Sequence, residues 1–174
     1  MVGVECWDEM RDARTYGGPY PVVAHPPCGA WGAMRFVNKY QDASGGPAAV
    51  DAVRRWGGVL EQPKGSLLWA HCGLPLPGEF PDASGGIAIE VAQVDWGHPA
   101  RKRTWLYFVG CRPFGPYPHP REPTHWCWGT HAPGQKSTMP AGVKAASAQQ
   151  RRRTPPAFAE WLVSIARSVK RRAA

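Results

Sequence analysis

Two stretches, PVVAHPPCG (21–29) and PAAVDAVRRWGGVLEQP (47–63), decide the fold. The first is a short apolar run, Pro21 to Ala24, cut off by a His-Pro-Pro turn, which reads as a buried parallel strand opening into a loop. In the second, Pro47 starts a helix that carries Val50, Val53 and Trp56 on one stripe, and Gly57-Gly58 stop it. Val59 to Glu61 is then a second strand, closed by Gln62-Pro63. Strand, loop, helix, strand, loop is the pattern of a parallel α/β sheet, in which reactive side chains gather just past the carboxyl ends of the strands. Cys28 and Glu61 both stand there.

Further along, residues 64–86 read as a connection with one helical turn. Residues 87–93 and 104–109 read as the arms of a hairpin carrying WGHPARKR (96–103) at its tip. The Pro- and aromatic-rich 111–134 receives no regular element, and the small polar 135–150 reads as a mobile linker. Thr154 is placed to N-cap a last helix, 154–172, with Phe158, Trp161, Leu162, Ile165 and Val169 on its core stripe. The expected architecture is a single α/β domain over 1–174: a truncated Rossmann-like sheet of three or four strands with a β-hairpin and a C-terminal helix packed back on it. The pentapeptide DASGG occurs at 42–46 and 82–86 with no similarity around it, and is not a repeat.

Gly 20 and Pro 19 among 174 residues exclude a helical bundle or coiled coil. No run of 18 apolar residues occurs, and MVGVECWDEMRDAR (1–14) carries acids where a signal peptide would be basic and then apolar. The chain therefore reads as cytoplasmic, with no membrane partner. Five cysteines without a CxxC pair read as free thiols in that setting. The net charge is +8, and most of the excess sits after residue 150, where Glu160 is the only acid among seven bases. Such a basic segment points to nucleic acid, with Arg151, Arg152 and Arg153 as phosphate contacts.

Cys28, held by Pro26-Pro27 at a strand end, is the candidate nucleophile. Glu61, on the adjacent strand end, is either an acid of raised pKa or the partner of a nearby base. A thiol and a carboxyl group facing one pocket suit addition to an electron-poor ring. Arg101, Lys102 and Arg103, with His98 beside them, return to the same sheet and can reach a phosphate or a base carbonyl. Trp126 and Trp128 flank Cys127 as a stacking platform for a base. Cys111, His119, His125 and Cys127 fit no standard pair of zinc knuckles, and no metal is expected.

Taken together, VVAHPPCGAWG (22–32), LEQP (60–63), QVDWGHPARKRTWLYFVG (93–110) and RRTPPAFAEWL (152–162) resemble, in order and approximate spacing, the catalytic half of DNA cytosine-5 methyltransferases, particularly their short phage-type members. The resemblance covers about three fifths of the chain. It implies that Cys28 adds to carbon 6 of a flipped cytosine and so activates carbon 5, and that Glu61 protonates or hydrogen-bonds nitrogen 3 and the exocyclic amine. Lys102 and Thr104 fall where the family has two arginines, and would steady the base carbonyl and the Cys loop. His25, Pro27, Gln62, Gln93, His98, Arg101 and Arg103 would line the substrate site, with 111–150 standing in for a recognition segment. Gln62 replaces the family's asparagine, and nothing before the first strand resembles its Gly-rich S-adenosylmethionine motif.

Three functions follow. The first is a DNA cytosine-modifying enzyme that works through the Cys28 adduct with another electrophile, by exchange or deamination, or with a donor site completed by a homodimer or partner subunit. The second is methylation through an unrecognised S-adenosylmethionine site. The third is a catalytically silent module that binds or shields DNA.

Overall fold

In the computed structural model of the chain, residues 3–8, 10–33, 35–37, 42–127, 138–139 and 141–170 are described. The first strand, β1 (Val22–Ala24), pairs in parallel with β2 (Gly58–Pro63) through α1 (Gly45–Trp56), the crossover expected from the Pro47–Trp56 stripe. Helix α1 starts two residues ahead of Pro47, and its second residue, Gly46, has no room for a side chain. A Cβ on Gly46 would lie 2.8 Å from Leu68 and against the indole of Trp31.

The short α2 (Leu68–His71) supplies the single turn expected in the 64–86 connection. Strands β3 (Ile87–Ala92) and β4 (Arg103–Val109) form the expected antiparallel hairpin. Gln93 falls just outside it, in a 3-10 turn over Gln93–Trp96. Strand β4 also pairs antiparallel with β2, giving the order β1-β2-β4-β3. The sheet is therefore mixed, not parallel, and the fold is α/β with a four-stranded mixed sheet. Hairpin connectivity is the reason: two strands joined by a short loop must run in opposite directions. With β1 at one edge, its residues are half-buried instead of buried.

Strand alternation gives the sheet two apolar faces. Leu60, Ala88, Tyr107 and Val109 meet Val50 and Val53 of α1 and Leu68 and Trp69 of α2. Val59, Leu106 and Phe108 meet Phe158, Trp161, Leu162 and Ile165 of α4 (Pro156–Arg167). The expected stripe thus closes the second face, and Val169 packs against it from beyond the helix end. Helix α4 is shorter than 154–172, and Thr154 does not cap it; Pro155 takes the N-cap position with no side-chain bond.

Between 111 and 150 the structure has more order than expected. A two-residue parallel pair joins β5 (His125–Trp126) to β6 (Lys144–Ala145), and α3 (Ala148–Arg152) occupies the end of the expected linker. Ser147 and Gln150 form a capping box on α3, the Ser-x-x-Gln signature of a helix start. The two DASGG segments fold alike at first. Asp42 accepts the Ser44 N–H and Asp82 the Ser84 N–H, and each carboxylate also pairs with an arginine, Arg14 and Arg54 respectively. Their chains then diverge into α1 and β3.

Gly58 begins β2 at φ +119°, where a Cβ would collide with the Val22 carbonyl. Gly58→Ala is expected to lower stability by about 2 kcal/mol and to expose β1 to amide exchange before the β3–β4 hairpin. Equal protection of both in the variant, read by hydrogen exchange, would contradict this.

Candidate functional site

The carboxyl ends of β1 and β2 and the start of β4 meet at one end of the sheet. The pairing of Ala24 with Leu60 brings His25 beside Glu61, and the pairing of Pro63 with Thr104 brings in the start of β4. Glu61 is 6% exposed. One carboxylate oxygen, Oε2, lies 3.2 Å from His25 Nδ1; Oε1 accepts from Gln93 Nε2 at 3.0 Å and lies 4.0 Å from Lys102 Nζ. Gln93 Nε2 also reaches Thr104 Oγ1 at 2.9 Å. Burial pushes the Glu61 pKa upward, but the His25 hydrogen bond, the Lys102 ammonium, the His25 charge and Thr104 outweigh it and hold the carboxyl below its ordinary value. Of the two roles expected for Glu61, the structure favours the ionised partner of a base over the acid of raised pKa. A saturated carboxylate has no proton to give to a ring nitrogen.

Cys28 opens a tight turn in which its carbonyl accepts from Trp31 N at 3.1 Å and Gly32 N at 2.7 Å. The residue is exposed. Burial at the base of the loop pushes its thiol up, as does the Glu61 carboxylate, while the charges of Lys102 and Arg152 pull it down. At rest the sulfur is a thiol, with cations nearby for the thiolate.

Gln62, expected to touch substrate, instead anchors this loop. Its Nε2 donates to the Pro26 carbonyl at 2.6 Å and its Oε1 accepts from Ser66 Oγ at 3.2 Å, with both residues buried. Pro27 next to it is exposed. Ser66 was not singled out from the sequence; its signal was its place in the turn QPKGS (62–66), four residues after Gln62. Gln62→Leu leaves the Pro26 carbonyl and the Ser66 hydroxyl without their partner, at a cost of about 1–3 kcal/mol. The variant is expected to stay folded in a denaturant titration while Cys28 alkylation by iodoacetamide speeds up. An unchanged alkylation rate would argue against the anchoring role.

The hairpin-tip cations divide. Lys102, 13% exposed, faces Glu61. Arg103 is ion-paired to Glu90, which also binds Lys64 and the Trp105 indole N–H, and Arg101 pairs with Glu122. Neither arginine is partnered in the Cys28 site, and both line a separate concavity on the outer side of β3. The wider of the two concavities described, about 760 Å³, is that one.

His98 is likewise not a substrate group. It is 2% exposed, with Nδ1 against Ala100 at 2.7 Å from its carbonyl and Nε2 2.9 Å from the Gln150 carbonyl. Burial holds its pKa down against those two bonds. Its role is to tie α3 to the hairpin tip, which brings Arg152 within electrostatic reach of Cys28. The charge of Arg152 is felt at Cys28, that of Arg151 at Cys127 and that of Arg153 at His98. Gln93 and Thr104 are buried and orient Glu61, so they act as positioning residues. Trp126 is buried and offers no open ring face, and Trp128 lies outside the described residues. Among the described residues, no three His, Cys, Asp or Glu side chains cluster to hold a metal ion. No helix among them is long and apolar enough to cross a membrane.

S-adenosylmethionine, implied by the resemblance, would have to lie at the carboxyl ends of β1 and β2, where His25, Glu61 and Gln62 are already bonded to protein groups. In comparisons with known proteins, no family model, no curated protein and no solved structure matches the chain.

Proposed function

We propose that this protein modifies cytosine in DNA through a covalent adduct between Cys28 and carbon 6 of the base, without S-adenosylmethionine. One observation carries the reading: an accessible thiol on an anchored loop shares its site with a buried, ionised Glu61 linked to His25 and Lys102. The thiolate adds to carbon 6 and the ring electrons move to carbon 5. Lys102 favours the thiolate form. Carbon 5 takes a proton from water and, on reversal, releases the original hydrogen, so the minimal reaction exchanges that hydrogen with solvent and consumes nothing. The imidazole of His25, held by Glu61 at Nδ1, is the group that relays this proton. Arg152 and Arg153, both exposed, supply phosphate contacts.

Nucleoside mass spectrometry of DNA from methylation-deficient cells tests the reading. A deaminated or otherwise altered cytosine with the native chain, and none with Cys28→Ala, supports it; in vitro exchange covers the donor-free case. A second reading, a silent DNA-binding module, is favoured by the raised thiol pKa of Cys28. It is supported if DNA binding survives Cys28→Ala and neither altered base nor exchange is found.

A further inference from the structure

Strand β3 is an outer strand of the sheet, and IAIEVA (87–92) has no proline, no lysine and no bulge in its register with β4 to guard that edge; its one charge, Glu90, is paired with Arg103 and Lys64. Along it lies the concavity of about 760 Å³, whose lining includes the consecutive residues 89–92. Successive side chains of a strand point to opposite faces. Four in a row on one wall therefore mean that the groove follows the backbone edge. Among the described residues, the outward N–H and C=O groups of 87–92 make no hydrogen bond. The remaining lining includes Trp96, Arg101, Tyr117 and Pro118.

We propose that this groove binds an extended peptide segment of a partner protein, which pairs with β3 as a fifth strand and sets a carboxylate against Arg101. An unpaired ladder of backbone donors and acceptors is satisfied by another backbone, whereas a nucleic-acid strand has no matching ladder. Tyr117 and Pro118 line the same concavity, so the edge is flanked by loop side chains as well as by the strand. Trp96 and Tyr117 offer ring surface to alternate apolar side chains of that strand. Charge selects its acid. Arg101 is 55% exposed and its partner Glu122 is 93% exposed, so the 3.4 Å pair yields readily to an incoming carboxylate. Arg103 is already ion-paired to Glu90, which it shares with Lys64. Asp95, the other acid in the lining, accepts the Arg121 N–H at 3.0 Å.

The test is a titration of the ¹⁵N-labelled full chain with the capped hexapeptide Val-Glu-Val-Glu-Val-Glu, followed by amide shifts. Saturable shifts confined to residues 87–92, 96, 101 and 117, with a Kd of about 0.1–1 mM, are expected. The same peptide N-methylated on its ladder-forming nitrogens is expected not to bind, and Arg101→Glu to weaken binding about tenfold. No shifts at about 5 mM peptide, or equal binding of the N-methylated form, would overturn the proposal. So would an oligothymidylate that shifts these residues when the peptide does not, or a concentration-dependent dimer whose contacts map to 87–92.

Discussion

Cys28→Ser is expected to reduce deuterium incorporation at carbon 5 of cytosine to the uncatalysed background, in an assay that needs only the protein, a cytosine-containing oligonucleotide and D₂O. Serine preserves the size and the turn, since the Cys28 carbonyl rather than its sulfur holds Trp31 and Gly32. Stability should change by less than about 0.5 kcal/mol, as for an exposed position away from the core. The hydroxyl is far harder to ionise than the thiol, and the Lys102 and Arg152 charges that favour a thiolate do not bridge that difference. His25→Gln separates the chemical steps. It retains a group able to hydrogen-bond Glu61 but cannot relay a proton, so exchange is expected to slow by about 10²-fold while Cys28 alkylation persists. Exchange by the native chain that survives Cys28→Ser intact would end the adduct reading.

Glu61→Ala is expected to cost about 3–5 kcal/mol, the range for removing one partner of a buried ion pair. It would leave Lys102, 13% exposed, without its counter-charge and free the Gln93 amide. The pH dependence follows in sign. The Glu61 pKa in the fold lies below its unfolded value, so its stabilisation is fully present above the ordinary carboxylate range and is lost as pH falls through the folded value. Asp82, bonded to Tyr107 and Arg54, and Glu90, bonded to Lys64, Trp105 and Arg103, are shifted in the same direction and share the acid limb. Glu61→Gln keeps the carbonyl acceptor for Gln93 and removes only the charge. Its stability curve between neutral pH and pH 3, from urea titrations, should fall less steeply than that of the native chain. Parallel curves would show that Glu61 is not ionised in the fold.

Much of the fold was legible because it rests on local signals. The stripe of Val50, Val53 and Trp56, the Gly57-Gly58 stop and the β-prone run at 104–109 each correspond to the element observed. The sheet's mixed direction was already implicit in the hairpin, since β3 and β4 must oppose each other and one of them therefore opposes β2. Strand order was not legible, because nothing local says that β4 inserts between β2 and β3. In the site, His25, Glu61 and Lys102 come together and the Glu61 and Lys102 charges act on Cys28; the strand-end positions of Cys28 and Glu61 and the hairpin-tip position of Lys102 suggested as much. The division of labour was hidden, because it depends on burial. Gln62 and Gln93 read as substrate groups until both are seen pointing into the protein, and His98 until both its nitrogens are seen occupied.

The separation of Arg101, Lys102 and Arg103 carries a consequence for sequence change. Three neighbouring cations are dispatched to two destinations by their alternation at the entry to β4, so the segment works as a sorting device. Inserting an arginine between Lys102 and Arg103, with β4 held in register by its buried side chains, would exchange the addresses. An arginine would arrive beside Glu61 and the lysine would face the outer groove, with composition and charge almost untouched. Chains of this type that differ by a single residue in that loop should therefore differ at both places at once, whereas Lys-to-Arg changes within a fixed spacing should disturb one and spare the other.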